Sequence, residues 1–134
     1  MSKSIKVREY MRKPVSVQQD VTVSEAAQVI LKSKLSGVVV VDDDQHLVGM
    51  LSELDCLKAI VSAVYNGNTP GAEIVQHVMT KDVEVNHPDE DIITVAATML
   101  DHKHRRRPIV ENGKLVGQIT CRQLLRAIKD FGDA

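Results

Sequence analysis

Leu47–Ile60 reads LVGMLSELDCLKAI, and Leu115–Ile128 reads LVGQITCRQLLRAI. Each copy is a short apolar strand broken by a glycine, followed by an amphipathic helix that opens on a hydroxyl residue, Ser52 or Thr120. Gly49 to Gly117 and Ile60 to Ile128 are both 68 positions apart, so the chain is written twice. Upstream of the first copy, Thr22-Val-Ser-Glu25 has capping-box spacing and opens a helix with Ala26, Ala27, Ile30 and Leu31 on its apolar face. Gly37 ends that helix, and Val38–Val41, four β-branched residues in a row, suit a strand covered on both faces. A polar turn at Asp42–His46 joins it to Leu47. Val15-Ser-Val17 reads as a minimal strand, preceded by a short helical lead-in with Ile5, Val7 and Met11 and closed by Pro14.

The second half repeats the order. Met79 answers Met11, Val83-Glu-Val85 is the expected short strand, and a helix over about Ile93–His102 carries Ala96-Ala97. Pro108–Val110 and Leu115–Ile119 form a hairpin around Asn112-Gly113, a strong two-residue turn signal. The spacing from Ala26 to Ala96 sets the offset at 70 in mid-unit. On the helix after Ser52, the residues Leu54, Leu57, Ala59, Ile60 and Val64 are expected mostly on the buried side, and the last helix carries Leu124, Leu125 and Ile128. The boundaries read as repeat 1 with its lead-in over 1–65, a turn-rich linker over 66–71 and repeat 2 over 72–134. The fold class is α+β (α/β-like): two β-α-β-β-α units, each too small to stand alone, packed with approximate two-fold symmetry. Four helices over two short sheets leave surplus apolar surface, which predicts a homodimer.

The totals are those of an ordinary globular chain: 134 residues, 43% hydrophobic, 26% charged, formal charge −1. That balance argues against a surface built for nucleic acid. Without Trp, and with only Phe131, Tyr10 and Tyr65, there is no aromatic platform for stacking bases. Cys56 and Cys121 have neither a partner thiol nor a histidine at metal-ligand spacing and read as reduced thiols. The N-terminal residues lack an apolar signal core, no window is apolar enough to span a bilayer, and the chain is expected to be soluble and cytoplasmic. No nucleophile–base set or phosphate-cradling glycine loop stands at motif spacing, so no enzyme is expected.

Met-x-x-x-Val-x-Val, an Ala-Ala helix, Arg-Arg-x-Pro before an apolar strand, and Leu-Val-Gly before a capped helix together resemble the cystathionine-β-synthase (CBS) domain, met twice in the right order between about Val7 and Ile128. The resemblance implies a stand-alone tandem pair, a Bateman module, of a family whose members commonly bind adenosine nucleotides or related adenosyl ligands in clefts between the repeats. AMP, ADP, ATP or S-adenosylmethionine is then the expected ligand, with no required cofactor or metal. An effector protein of unknown identity would be acted on in trans. The alternative is a non-binding scaffold that keeps the fold for dimerisation or protein contact.

Two stretches could carry chemistry. Ser52-Glu-Leu-Asp55 reads first as a cap, and the resemblance adds that Asp55 would take both hydroxyls of a ribose. His102–Pro108 holds six basic-type residues, among which guanidinium groups match phosphate in a fork. A solvated helix end is the rival reading there; a metal pair from His102 and His104 lacks a third ligand. By the resemblance, Arg105 and Arg106, beside His104, would hold phosphate while Arg107 alternates to the other side. Met50 and the Asp82-Val83 stretch would wall the adenine. The second, degenerate cleft would draw on Pro14, Val15, Lys34, Ser36, Thr120 and Gln123, with Gln123 lacking the charge of Asp55.

Overall fold

The computed structural model describes residues 4–132. In chain order the elements are a 3-10 turn Val7–Glu9, β1 Ser16–Gln18, α1 Val23–Ser33, β2 Gly37–Val41, β3 Leu47–Ser52, α2 Glu53–Tyr65, a 3-10 turn Val75–His77, α3 Ile92–His102, β4 Arg106–Glu111, β5 Lys114–Thr120 and α4 Cys121–Gly132. They form two compact units. One runs Val15–Val83; the other joins the segment ending at Pro14 to the residues from Glu84 onward. No helix among the described residues is long and apolar enough to cross a membrane.

In the Val15–Val83 unit, β1 pairs parallel with β2, and β2 antiparallel with β3, with Val38 opposite Leu51 and Val39 opposite Met50. Every residue of β2 is buried, as a run of valines covered on both faces should be. Thr22 caps α1 by accepting from Glu25 N–H, and α1 ends on Lys34 in the left-handed region. Val23, Ala26 and Ile30 of α1 meet Val38, Val40, Leu51, Cys56 and Ala59 in the core. The lead-in of repeat 2 completes this unit. Thr80 N–H donates to Met50 C=O (2.8 Å) and Met50 N–H to Thr80 C=O (2.9 Å), which brings Met79 over Gly49.

The other unit repeats the device. Arg12 and Gln118 exchange backbone hydrogen bonds of 2.9 and 3.0 Å, and Met11 lies over Gly117. Each repeat's lead-in therefore rests on the other repeat's hairpin, so the spatial units exchange lead-ins relative to the sequence repeats 1–65 and 72–134. A Cβ at Gly49 would stand 2.6 Å from Met79 Sδ and 2.8 Å from Thr80 O; at Gly117 it would stand 2.8 Å from Met11 Sδ. Gly49→Ala is expected to cost about 1–3 kcal/mol as overpacking against backbone. A urea titration checks this, and an unchanged midpoint would show that the lead-in is not clamped there.

Three expectations need correction. Val83–Val85 forms no strand; the pairing shrinks to one parallel bridge, Asn86 with Ile109. In repeat 1 the ladder is anchored by Val39 N–H donating to Val15 C=O at 3.1 Å, and the counterpart of Val39 is Pro108, which has no N–H to give. The mid-unit offset is 69 rather than 70: Lys34 and Lys103 end their helices at φ 57° and 58°, and buried Ala26 and Ile30 correspond to Val95 and Met99. The alanine pairs align with a slip of one, Ala27 on Ala96. Third, the small residues of α2 face inward. Cys56, Ala59 and Ala63 are buried, while Leu54 and Leu57 stay 76% and 58% exposed and Val64 is exposed too. Leu31 on α1, with Leu125 and Ile128 on α4, also lie outside, whereas Leu124 and Ala127 are inside. Close approach of a helix to its sheet selects the small side chains and turns the leucines outward.

Candidate functional site

Asp55 sits at the third position of α2, where Ser52 and the carboxylate cap each other. Ser52 N–H donates to Asp55 Oδ2 (2.9 Å), and Asp55 N–H donates to Ser52 Oγ (3.1 Å). The residue is half-buried, and among the described residues no hydrogen bond engages Oδ1. The carboxylate borders a hollow of about 210 Å³ that it shares with Lys58, Ala59, Ser62, Glu73 and Val78. Lys58 and Ser62 follow Asp55 at i+3 and i+7 on one helix face, a spacing visible in the sequence but not used above. Glu73 comes from the lead-in of repeat 2 and carried no local signal.

The worn copy keeps the bond from the cap residue's backbone N–H to the side chain three positions on, and loses the charge. Thr120 N–H donates to Gln123 Oε1 at 2.9 Å, and the Thr120 hydroxyl bonds the same oxygen. Where Val78 borders the Asp55 hollow, the equivalent lead-in residue is Tyr10, whose hydroxyl donates to Asp130 Oδ2 at 3.0 Å. That bond to a carboxylate raises the Tyr10 hydroxyl above its ordinary range.

The basic stretch divides by strand alternation. Arg107 is 2% exposed. Its Nε donates to His104 Nδ1 (2.9 Å), and its Nη1 donates to Asn86 Oδ1 (2.9 Å) and Thr98 Oγ1 (3.3 Å). Nη2 lies 3.4 Å from Glu84 Oε2 as an ion pair without hydrogen-bond geometry. Arg107 therefore alternates away from its neighbour as expected, but into the interior, where the counterpart in repeat 1 is buried Val38. Arg105 is exposed, whereas Arg106 is half-buried. Arg105 thus borders the groove between α3 and α4, and Arg106 stands at the first position of the strand. His104 is an acceptor for Arg107, and its backbone N–H closes the helix end on Met99 C=O at 2.8 Å.

The remaining candidates fall where the offset of 69 puts them. Ser36 is the counterpart of Arg105 and Gly37 of Arg106, so repeat 1 offers no cation at that position. Lys34 is the C-cap of α1 and corresponds to Lys103. Met50 is half-buried and tied to Thr80; Asp82 is exposed and Val83 half-buried in irregular chain. Pro14 and Val15 are half-buried, and the division of the chain into its two units falls between them.

Among the described residues, three clusters gather potential metal ligands. Beside Glu84, His102 and His104, the Arg107 guanidinium already supplies positive charge and occupies His104 Nδ1. Beside His87, Asp89 and Glu111, Arg8 bridges the carboxylates at 3.2 and 3.0 Å and holds the Asp89 carboxyl below its ordinary range. Asp42, with Asp44 and His46, is a turn: its Oδ1 accepts from the backbone N–H of His46 and Asp44, which lowers its carboxyl. Burial raises the Cys56 thiol, as suits an inert core cysteine.

A family description, the CBS domain, matches residues 7–62 and again 75–130. An uncharacterised protein of Methanocaldococcus jannaschii is 29% identical over 123 residues, which are 91% of this chain and 42% of that protein; the chain thus spans less than half of that relative. The crystal structure of the CBS domain of a membrane protein from Sphaerobacter thermophilus superposes with a TM-score of 0.74 at 28% identity, covering 92% of this chain and 87% of that one. The crystal structure of CBSX2 in complex with AMP superposes at 0.82 with 25% identity, covering 95% and 98%.

Proposed function

Because the chain belongs to the CBS domain family, with one copy over residues 7–62 and another over 75–130, we propose that it is a regulatory module that senses an adenosine nucleotide or related adenosyl ligand and acts on a partner protein in trans. The observation that carries this reading is the asymmetry of the two caps. Both copies keep the bond from the cap residue's N–H to the side chain three positions on, but only Asp55 adds a carboxylate, with Oδ1 left for a ligand beside an open polar hollow. A carboxylate is the acceptor that a ribose diol needs, and a charge-assisted bond is the strong form of that contact. By the family pattern, Arg106 at the start of β4 is the phosphate donor of this reading, whereas Arg107 is bonded inside its own unit. That AMP occupies the similar CBSX2 structure supports AMP as the first ligand to try. One site per chain is expected, because Gln123 and Gly37 stand where the second would need Asp and Arg.

Calorimetry and thermal shift against AMP, ADP, ATP, NAD and S-adenosylmethionine test this. Saturable binding at micromolar ligand, one per chain, is the expected result; silence across the panel would leave the scaffold reading. That second reading has its own observation, the apolar side chains exposed along all four helices. It coexists with the first as a homodimer, and light scattering that shows only a 14.8 kDa species would overturn the dimer.

A further inference from the structure

The two units treat one place differently. Beside α2, about 210 Å³ lie open among buried Ala59, Val78 and the polar side chains of Asp55, Lys58, Ser62 and Glu73. At the equivalent place beside α4, Ala127 is the buried alanine, and Tyr10 follows its 3-10 turn where Val78 follows the other. The Tyr10 side chain packs on the core of its unit, and its hydroxyl reaches Asp130, the counterpart of Ser62. The worn copy thus shows, with a side chain of its own, that a flat ring carrying a hydrogen-bond donor fits this place.

We infer that the hollow beside Asp55 is a base subsite, which takes the flat heterocycle of the ligand whose ribose Asp55 holds. This rests on the ribose reading above. It goes beyond that reading by placing the base on α2 with Glu73 and Val78, instead of against Met50 and the Asp82-Val83 stretch. Size agrees: a cavity of about 150 Å³ admits a benzene ring, and a whole drug-sized ligand needs about 300 Å³ or more. At about 210 Å³ the hollow suits the base alone. Span agrees too, since Asp55 and Ser62 are seven residues apart on α2, about 10 Å along its axis and comparable to a nucleoside. Charge selects base over phosphate. Two carboxylates, Asp55 and Glu73, border the hollow against one ammonium, Lys58, and that balance repels a phosphate. Among the described residues no hydrogen bond or ion pair engages the Lys58 ammonium or the Glu73 carboxylate, while Val23 N–H fixes the Glu73 backbone at 2.8 Å. The carboxylate then accepts from an exocyclic amino group and the ammonium donates to a ring nitrogen, two contacts that an adenine edge offers side by side.

Calorimetry of the full chain with adenosine, AMP and base-free ribose 5-phosphate is the test, with circular dichroism to read folding in every variant. Val78→Tyr, which copies the side chain of the other unit into the hollow, is expected to weaken adenosine and AMP by more than about tenfold and to leave ribose 5-phosphate unchanged. Glu73→Ala is expected to show the same pattern at about tenfold, as the loss of a hydrogen bond to a charged group, and it decides alone if Val78→Tyr does not fold. A parent chain that binds none of the three would overturn the ribose reading and the base subsite together. A parent that binds AMP, with folded variants that bind it as before, would overturn the base subsite alone. Equal losses for AMP and ribose 5-phosphate would also overturn it, since the hollow would then hold sugar or phosphate.

Discussion

Arg107→Ala is expected to lower stability by about 3–5 kcal/mol, because it opens a cavity the size of most of an arginine and strips its partners at once. His104 Nδ1, Asn86 Oδ1 and Thr98 Oγ1 all lose their donor, and Glu84 loses the cation it faces. Arg107→Met is expected to behave otherwise. The counterpart of Arg107 in the other unit is Val38, fully apolar and buried, so the fold accepts a hydrophobe there. Replacing a buried charge by an apolar residue of similar length is commonly neutral or stabilising. Asn86 and Thr98 are only half-buried and can turn to water. Urea denaturation followed by circular dichroism separates the two variants. Equal losses for Ala and Met would mean that the polar network, rather than the filled volume, holds this strand.

That single position shows what the sequence could and could not say. The repeat, the hairpins and the caps at Thr22 and Ser52 are local patterns, and the structure has a capped helix after each of these two residues. Three successive arginines, however, look alike until strand alternation and the depth of the sheet assign Arg107 to the interior. The lost strand at Val83–Val85 had its cause in view, but 25 residues from Val83, at Pro108. A proline missing one donor is legible only once the strand that would receive the bond is known. The leucines of α2 misled for a different reason. That helix is apolar on two faces, and periodicity cannot tell the face that meets the sheet from the face left for another partner. The same blindness hid the one-residue slip in the alanine pair. Two alanines in a row align equally well either way, and only the left-handed lysines at the helix ends decide the register.

Asp55→Ala is expected to weaken adenosine and AMP alike, by about 10- to 150-fold, if its carboxylate accepts from the ribose hydroxyls; that is the range of one charge-assisted hydrogen bond of about 1.5–3 kcal/mol. The same substitution also removes half of a cap, worth about 1 kcal/mol of stability, so a lower melting temperature alone would say nothing of ligand. Asp55→Asn separates the two. An amide oxygen can still accept from Ser52 N–H, as Gln123 accepts from Thr120 N–H in the other unit, but the charge is gone. Asn is therefore expected to keep the fold and lose most of the affinity. Arg106→Ala is expected to weaken AMP and ATP, to spare adenosine, and to flatten the salt dependence of binding, since it removes a contact to phosphate only. Gln123→Ala is expected to change ligand affinity little. The decisive comparison is calorimetry of Asp55→Asn against Gln123→Ala with adenosine and AMP. If the glutamine variant is the one that loses binding, the working site is in the worn copy, and the free Oδ1 of Asp55 is a property of the cap and nothing more.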